Sequence, residues 1–341
     1  MLGALAQVWM VGTAMAGGLT DIAGLRVGHA VDPRRPTGVT AILVEAGAVA
    51  GVDVRGSAPG TRETDLLAPT ALVEKIHALV LAGGSAFGLD AATGVVRYLE
   101  EQGVGFRMGA TVIPIVPAAI LYDLNVGDPT VRPDAALGYR AAQAATSGPI
   151  AEGSVGAGAG ATVGKLLGFD HAMRGGLGTA SRRLADGRLV AALAVVNAVG
   201  NVVDPSHGTI VAGARDGAAW ADLDRVLTGG ASQSQPAGSN TTLVVVATDA
   251  KLTKIQTTKL AQMAQDGLAR AIRPAHTMYD GDLVFALSTG ARSEPADLTA
   301  LGAIAADLVT EAILRGCRLA TSLPGIPAVA DFHSSQTQPT Q

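Results

Sequence analysis

The chain changes character within one stretch, Ser239-Asn240-Thr241-Thr242-Leu243-Val244-Val245-Val246. Residues 228–240 have the small, polar, Gly- and Pro-containing composition of a linker. From Thr241 to Thr248 the residues are mostly β-branched or apolar, which favours a buried strand. The sequence therefore predicts a flexible linker that leads directly into the core, with two threonines at the entrance.

The composition is that of a protein with a large core. The chain has 341 residues, of which 48% are hydrophobic and 16% charged, and we expect a single domain over residues 1–341. The net charge of −4 provides no basic surface for nucleic acid. The only cysteine, Cys317, excludes an intrachain disulfide and is predicted to be a small buried hydrophobe. The six histidines lack close metal-ligand spacing, so we expect neither a metal nor a cofactor.

The two ends of the chain allow limited predictions. Residues 2–16 form an apolar run that ends Ala14-Met15-Ala16, as before a signal-peptidase site, but no Lys or Arg precedes it. We therefore expect a cytoplasmic protein, with secretion as the alternative. No other segment reaches the roughly 18 uninterrupted apolar residues of a membrane span. The polar residues 333–341 are predicted to be a disordered tail.

Strand-like and helical segments alternate along the chain, which indicates the α/β class. The segment 111–124 is apolar but contains Pro114 and Pro117, so it is predicted to be an edge or irregular strand. A helix is expected after Gly88. The other strands are predicted at 38–45, 48–55, 78–82, 189–203, 241–248 and 283–288, and the other helices at 135–145, 251–272 and 297–320.

A glycine-rich turn, Gly83-Gly84-Ser85-Ala86-Phe87-Gly88, lies between a predicted strand and a helix. Backbone N–H groups in such a turn point into a concavity that suits an anion or an oxyanion, so Gly83, Gly84 and Ser85 are candidate substrate contacts. A nucleophile elbow is excluded because Phe87 stands where glycine is needed. The dinucleotide-binding fingerprint is excluded by its spacing.

Residues 153–165 resemble a phosphate-binding loop but depart from it twice. Ala159 replaces a required glycine, and Leu166 replaces the final Ser or Thr. The run of small residues ends in Lys165, which would be carried into a tight interior, where a lysine needs a partner or a task. The charged loop 55–65 contacts either a substrate or another subunit, or is simply solvated.

Four further polar residues are candidates for a site. Asn197 interrupts an apolar strand and is either a structural clamp, which the sequence favours, or a donor to an oxyanion. Asp280 and Asp282 flank a glycine before a strand, and they form a plain turn, bind a substrate ammonium or position Lys165. Tyr122 is a hydrogen-bond donor in a cleft or a core aromatic.

The junction suggests a chemistry in which one residue supplies two functions. The Thr241 hydroxyl would attack the Asn240 carbonyl, an N-to-O acyl shift would give an ester, and water would release the chain. The new α-amino group, with a pKa of about 8, would then accept the hydroxyl proton. Taken alone the signal is weak, because Asn-Thr before a valine run is usually only a loop and a strand.

Several stretches together resemble the family of self-cleaving aminopeptidases and amidases. This family includes L-aminopeptidase/D-amidase/D-esterase, the β-aminopeptidases and the nylon-oligomer endo-hydrolase. The resemblance runs from about Leu19 to Gly316. It is carried by Leu19-Thr-Asp-Ile-Ala-Gly-Leu-Arg-Val-Gly-His29, Leu81-Ala-Gly-Gly-Ser-Ala-Phe-Gly-Leu-Asp90, Ala118-Ala-Ile-Leu-Tyr-Asp123, residues 158–165, Asn197 and Asn240-Thr241-Thr242.

The resemblance implies a four-layer α/β/β/α sandwich of the N-terminal-nucleophile kind. It also implies a cut into an α chain, 1–240, and a β chain, 241–341, with 228–240 as the processing linker and with αβ units that assemble into a tetramer or larger homo-oligomer. Thr241 would be the nucleophile. Supporting roles would fall on Lys165, Asn197 and Tyr122, and positioning or substrate-binding roles on Asp280 and Asp282.

One difference within the family bears on the substrate. The aminopeptidase branch typically has Gly-Ser at the cut, whereas this chain has Asn-Thr there and Asp-Gly-Asp at 280–282, as in the nylon-oligomer branch. The resemblance therefore favours hydrolysis of linear aliphatic amides such as 6-aminohexanoate oligomers. The alternatives are an aminopeptidase, an acyltransferase of the ornithine acetyltransferase kind, and a non-enzymatic ligand-binding α/β protein.

Overall fold

The computed structural model describes residues 17–229 and 238–336. The apolar run 2–16 and most of the predicted linker lie outside the described residues. The helices are α1 (Ala91–Glu101), α2 (Ala135–Gln143), α3 (Leu223–Thr228), α4 (Lys254–Ala271), α5 (Leu298–Arg318) and α6 (Val329–Gln336). The strands are β1 (Arg26–Val31), β2 (Gly38–Val54), β3 (Thr61–Arg62), β4 (Lys75–Ala82), β5 (Phe106–Met108), β6 (Thr111–Ile113), β7 (Ala118–Ile120), β8 (Thr162–Val163), β9 (Met173–Arg174), β10 (Gly176–Arg183), β11 (Leu189–Asn197), β12 (Asn201–Asp204), β13 (Thr209–Ala212), β14 (Arg215–Asp216), β15 (Ala219–Trp220), β16 (Thr241–Ala250), β17 (Ile272–Arg273) and β18 (Leu283–Arg292).

A nine-stranded mixed sheet organises the molecule. Its order is β10-β11-β16-β18-β2-β4-β7-β3, and β1 pairs with β2 outside this path. β16 and β18 run parallel, and so do β4 and β7, while β11 is antiparallel to β16. The start of β16, the start of β18 and the end of β11 therefore lie side by side at the same end of the sheet's strands.

Strand β2 joins the two halves of this sheet. The sequence predicted two strands, 38–45 and 48–55, but one continuous strand of 17 residues is present, with a register irregularity between Leu43 and Ala48. Its first part pairs with β4 and its last part with β18. Because one buried cluster contains side chains of both halves, the inner faces of the two halves pack against each other.

Three apolar cores separate four layers, as alternation along the strands requires. One face of β11, β16 and β18 packs on α4 and α5, and the opposite face packs on the other half of the sheet. The outer face of β2 and β4 packs on α1 and α2. The α/β/β/α sandwich expected from the sequence is confirmed, with a core that is aliphatic because aromatic residues make up only 3% of the chain.

Several predicted elements need local correction. The predicted strand 189–203 ends at Asn197, and β12 belongs to a separate three-stranded sheet. Between the two strands, Gly200 approaches the Arg273–Pro274 backbone too closely for any side chain. The prolines break 111–124 into β6 and β7. The helix predicted after Gly88 begins at Ala91 and follows a 3-10 turn. Helix α4 begins after Thr253, whose side chain caps it.

The remaining predictions about the core and the chain ends have different outcomes. Cys317 is buried in α5, and this burial raises the pKa of its thiol to about 12, so it is the small hydrophobe expected. The tail predicted to be disordered from His333 is helical through Gln336, and residues 337–341 lie outside the described part. Within the described residues, no helix is long and apolar enough to cross a membrane.

Candidate active site

Thr241 and Asn197 lie opposite each other at the edge of the sheet. They are paired in the register of β16 and β11. Alternation places Thr241 on the same face as Leu243 and Val245, which is the face between the two sheet layers. Thr242 points to the opposite face, so only the first of the two threonines faces Asn197.

The peptide bond between Asn240 and Thr241 is buried and held by two donors. The Asn240 carbonyl oxygen accepts a hydrogen bond of 2.8 Å from the Gly281 N–H and one of 2.5 Å from the Thr241 hydroxyl. Asn240 is 0% and Thr241 1% exposed. The backbone N–H polarises this carbonyl, and the Thr241 hydroxyl lies in hydrogen-bonding contact with its oxygen.

Lys165 reaches this edge from the stretch of small residues that follows Gly153. Its ammonium donates to the backbone carbonyl of Asn197 at 3.1 Å and to Asn197 Oδ1 at 3.0 Å. Burial lowers the pKa of Lys165 to about 7, although the charges of Asp280, Asp123 and Asp282 oppose that shift. Near neutral pH the amine is therefore available in both protonation states.

Asn197 connects three segments through its side-chain amide. Oδ1 accepts from the Thr162 N–H at 3.0 Å as well as from Lys165, and Nδ2 donates to the Tyr122 carbonyl at 2.9 Å. In the continuous chain these contacts are those of a clamp, which is the role that the strand pattern favoured.

The turn that contains Asp280 and Asp282 packs against the start of β16. Asp282 accepts from the Thr242 N–H at 2.7 Å and from the His276 N–H at 2.9 Å. Asp280 accepts from the N–H groups of Thr277 and Val199 at 3.0 and 3.3 Å. Burial, and then the charge of Asp282, raise the pKa of Asp280 to about 6. Each carboxylate is 1% exposed, so both are occupied within the protein.

The charged loop 55–65, whose role the sequence did not decide, packs against the turn that contains Asp280 and Asp282. The N–H groups of Arg55 and Gly56 donate to the Asp282 carbonyl, and that of Ala58 donates to the Asp280 carbonyl, all at 3.0 Å. A Cβ on Gly281 would lie 2.7 Å from the Ala58 carbonyl oxygen and 2.8 Å from Thr241 Oγ1. Sequence reasoning missed this contact, and its only signal was a glycine in each of the two facing loops.

Tyr122 approaches the site through its backbone, because its carbonyl accepts from Asn197 and its hydroxyl donates to Asn125 at 3.0 Å. The turn formed by Gly83, Gly84 and Ser85 faces the Asp123 carboxylate, which accepts from the Gly84 N–H at 2.9 Å. The predicted anion cradle therefore holds an anion of the protein itself. Substrate contact by Tyr122, Gly83, Gly84 and Ser85 stays a prediction.

The layered fold is shared with solved N-terminal-nucleophile hydrolases. A β-aminopeptidase from Burkholderia sp. aligns with a TM-score of 0.69 at 24% identity, covering 96% of this chain and 97% of that one. The L-aminopeptidase D-Ala-esterase/amidase from Ochrobactrum anthropi aligns with a TM-score of 0.68 at 22% identity, covering 95% and 94%. At these identities the likeness shows the fold.

Sequence comparison identifies the family. Residues 17–329 match peptidase family S58, and the chain belongs to that family. An uncharacterized aminopeptidase of Mycobacterium tuberculosis is 45% identical over 342 residues, which cover 92% of this chain and 97% of the relative. The 6-aminohexanoate-oligomer endohydrolase of Paenarthrobacter ureafaciens is 34% identical over 310 residues, covering 86% and 84%. The protein is thus an enzyme, a hydrolase of carbon–nitrogen bonds.

Proposed function

We propose that this hydrolase processes itself after Asn240 and then uses Thr241 as an N-terminal nucleophile on amide bonds. The observation that carries the proposal is the buried Asn240 carbonyl, which accepts from the Gly281 N–H at 2.8 Å and meets the Thr241 hydroxyl at 2.5 Å. The products would be an α chain, 1–240, and a β chain, 241–341.

In the first step the Thr241 hydroxyl oxygen bonds to the Asn240 carbonyl carbon while the carbon–nitrogen bond breaks. The hydroxyl proton leaves to a base and the released nitrogen gains a proton, so an ester and an α-amino group form. We assign Lys165 as the base, because a lysine with a pKa of about 7 is partly neutral at neutral pH. The Gly281 N–H stabilises the oxyanion, and water then hydrolyses the ester.

In the mature enzyme the Thr241 amine replaces the peptide nitrogen and accepts the hydroxyl proton during attack on a substrate. A protonated Lys165 would disfavour a second positive charge there and so lower the pKa of that amine. Departure of Ser239 and Asn240, which are 4% and 0% exposed, opens the space that a substrate acyl group takes.

We propose linear aliphatic amides, such as 6-aminohexanoate oligomers, as the substrate class. An aminopeptidase requires a group that receives the substrate ammonium, and Asp280 and Asp282 are the acids beside the nucleophile. Both are buried and already hydrogen-bonded by the protein, which supports cleavage that does not depend on a free amine. The relatives named as aminopeptidases support the alternative, release of N-terminal residues from short peptides.

The self-processing step is tested by intact-mass measurement of the purified protein. Wild type should give two chains that separate after Asn240, and Thr241→Ala one uncut, inactive chain of about the full 34.1 kDa. Thr242→Val is the matched control, because its side chain points to the other core, and it should be cut and active. An uncut wild-type protein that hydrolyses amides normally would contradict the mechanism.

The substrate class is tested with two matched 6-aminohexanoate oligomers, one with a free amino end and one N-acetylated. Comparable hydrolysis of both supports the proposal, whereas strict dependence on the free amine supports the aminopeptidase alternative. An added amine acceptor separates a hydrolase from an acyltransferase, because transfer to the acceptor ahead of water would make hydrolase the wrong label.

We also propose that processed αβ units assemble into a homo-oligomer, tetramer or larger, as the family resemblance implies. Light scattering of the processed protein should give a mass of at least four times 34.1 kDa. A mass equal to one unit would contradict the assembly without affecting the mechanism at Thr241.

A further inference from the structure

A buried ion pair that the mechanism above does not use lies close to the proposed active site. The side chains of Asp123 and Arg35 are both 0% exposed and form an ion pair. Asp123 Oδ1 also accepts from the Gly84 N–H at 2.9 Å, and Oδ2 accepts from the Thr37 hydroxyl at 2.6 Å. Arg35 in turn donates to the carbonyls of Val126 and Val131, each at 2.7 Å.

Both glycine-rich stretches of the sequence approach this carboxylate. A Cβ on Gly83 would lie 2.1 Å from Asp123 Oδ2, and one on Gly160 would lie 2.6 Å from the same oxygen. Neither position has room for a side chain. The turn that resembled an anion cradle and the stretch that resembled a phosphate loop therefore meet at one internal anion.

Asp123 is adjacent in sequence to a backbone group that contacts the site. The carbonyl of Tyr122 accepts from Asn197 Nδ2 at 2.9 Å, and Asn197 Oδ1 accepts from the Lys165 ammonium at 3.0 Å. Asn197 is also the cross-strand partner of Thr241. The contacts of Asp123 thus lie one residue from the Tyr122 carbonyl, which accepts from the same Asn197 amide that binds Lys165.

We infer that Asp123 is a positioning residue for the amide-hydrolysing site, held by Arg35, Thr37 and Gly84 so that the Tyr122 carbonyl fixes Asn197. The inference rests on the proposed function of Thr241 and Lys165. It also explains the glycines at 83 and 160, because any side chain there would collide with the Asp123 carboxylate.

The position of Asp123 has an electrostatic consequence that a purely structural role lacks. Burial lowers the pKa of Lys165, and Asp280, Asp123 and Asp282 are the charges that oppose the shift. Removing the charge of Asp123 should lower the pKa of Lys165 further. The acidic limb of the pH–rate profile of self-processing, the step in which Lys165 is the assigned base, should then move to lower pH, because Lys165 becomes neutral at a lower pH.

The test compares Asp123→Asn with wild type through kcat, expressed per mole of processed β chain, and through the pH dependence of the self-processing rate. We expect kcat to fall about 100-fold, as for a misplaced catalytic group, with the acidic midpoint shifted to lower pH. Asp128→Asn is the matched control, since Asp128 lies exposed in the following loop and bonds only locally to Thr130. It should keep both values.

Because Asp123→Asn leaves the buried Arg35 without its counter-ion, a milder variant is measured in parallel. Thr37→Val removes one hydrogen bond to Asp123 and keeps the charge. It should lower kcat about fivefold, the equivalent of one neutral hydrogen bond, with KM and the acidic midpoint unchanged. If Asp123→Asn does not fold, a wild-type kcat in Thr37→Val overturns the inference.

Parallel measurement of Thr241→Ala separates this inference from the proposed function. If Thr241→Ala is inactive and Asp123→Asn has the wild-type midpoint and kcat, the positioning role fails while the proposed function stands. If Thr241→Ala keeps full activity, the proposed function fails and the positioning role fails with it.

Discussion

The two halves of the large sheet differ in how they handle polar groups. In the half formed by β10, β11, β16 and β18, which contains the proposed nucleophile, Thr241 and Asn197 lie at strand ends near Lys165 and Asp280, whose pKa values are displaced towards neutrality. In the half formed by the start of β2 with β4 and β7, here the support half, Asp123 forms an ion pair with Arg35. A group that transfers a proton must be able to change its protonation state near neutral pH, whereas a charge that only supports the structure needs a fixed counter-ion.

Among the variants compared here, Lys165→Met should have the largest effect on the rate of self-processing. Loss of the assigned base should slow self-processing about 10²–10⁴-fold. Amide hydrolysis should fall with it, because an uncut chain lacks the free Thr241 amine. The fraction of cut chain over time, followed by intact mass, checks the first, and product release checks the second.

A second buried lysine provides the control for that experiment. Lys254 donates to the carbonyls of Leu66, Ala71 and Val73, away from the nucleophile. Lys254→Met should lower stability, because three carbonyls lose their donor, and still be cut. Equal loss of processing in both variants would contradict a specific role for Lys165.

Gly281→Ala should slow processing about 10²–10³-fold, the usual cost of disturbing one oxyanion donor. The added Cβ would stand 2.8 Å from Thr241 Oγ1 and must displace either the hydroxyl or the turn. Gly148→Ala is the control, because its Cβ would meet only one atom, at 3.6 Å. Normal processing of Gly281→Ala would remove Gly281 from the mechanism.

The pH dependence follows from the two displaced groups. The rate of self-processing should rise about 100-fold per pH unit below roughly pH 6, where Asp280 and Lys165 are both protonated, and about tenfold per unit between pH 6 and 7, and should level off above pH 7. A profile that is flat between pH 5 and about pH 8 would contradict a rate-controlling role for either group.

Stability should change with pH in two opposite ways. The pKa of Lys165 falls from 10.5 to about 7 on folding, so the unfolded chain binds more protons between these values and this group makes stability rise with pH there. The pKa of Asp280 rises from 3.8 to about 6, so its contribution falls as pH rises through that window. Urea unfolding in the uncut Thr241→Ala background should show the upper slope when Lys165 is present and lose it when Lys165→Met is added.

Thr242→Val should give the smallest effect, a gain in the free energy of unfolding of about 1 kcal/mol. Within the described residues the buried Thr242 hydroxyl has no hydrogen-bond partner, so the methyl group removes an unsatisfied polar atom. Urea unfolding of this variant in the Thr241→Ala background avoids interference from processing. A loss of stability would show that the hydroxyl is satisfied.

Much of the fold could be predicted because it depends on local patterns. The strand from Thr241 and the helices at 254–271 and 298–318 follow from apolar periodicity and capping residues. The break after Asn197 was missed, because Val202 and Val203 resume the strand-like pattern after Gly200 and Asn201, so the interruption was read as part of one strand. The single strand β2 was also missed, since the irregularity between Leu43 and Ala48 looks like a turn.

The site was predictable in part for the same reason. Lys165, Asn197 and Thr241 stood out because each is a polar residue in small or apolar surroundings. Gly281 and the loop after Arg55 were missed, because backbone N–H groups carry no residue-specific signal. The glycine-rich turn was predicted to contact a substrate anion, and the contact present is between the Gly84 N–H and Asp123, a carboxylate 39 residues away in the chain.

The sequence by itself determined the layered α/β class, the strand that begins at Thr241, and the family to which the chain belongs. These depend on residue type and short spacing, which a linear chain displays directly. Only the tertiary structure decided that the Asn240 carbonyl faces the Gly281 N–H, that Lys165 is bonded to Asn197, and that two glycine-rich stretches enclose Asp123. Such contacts join segments far apart in sequence, and their geometry exists only once the two halves of the sheet pack together.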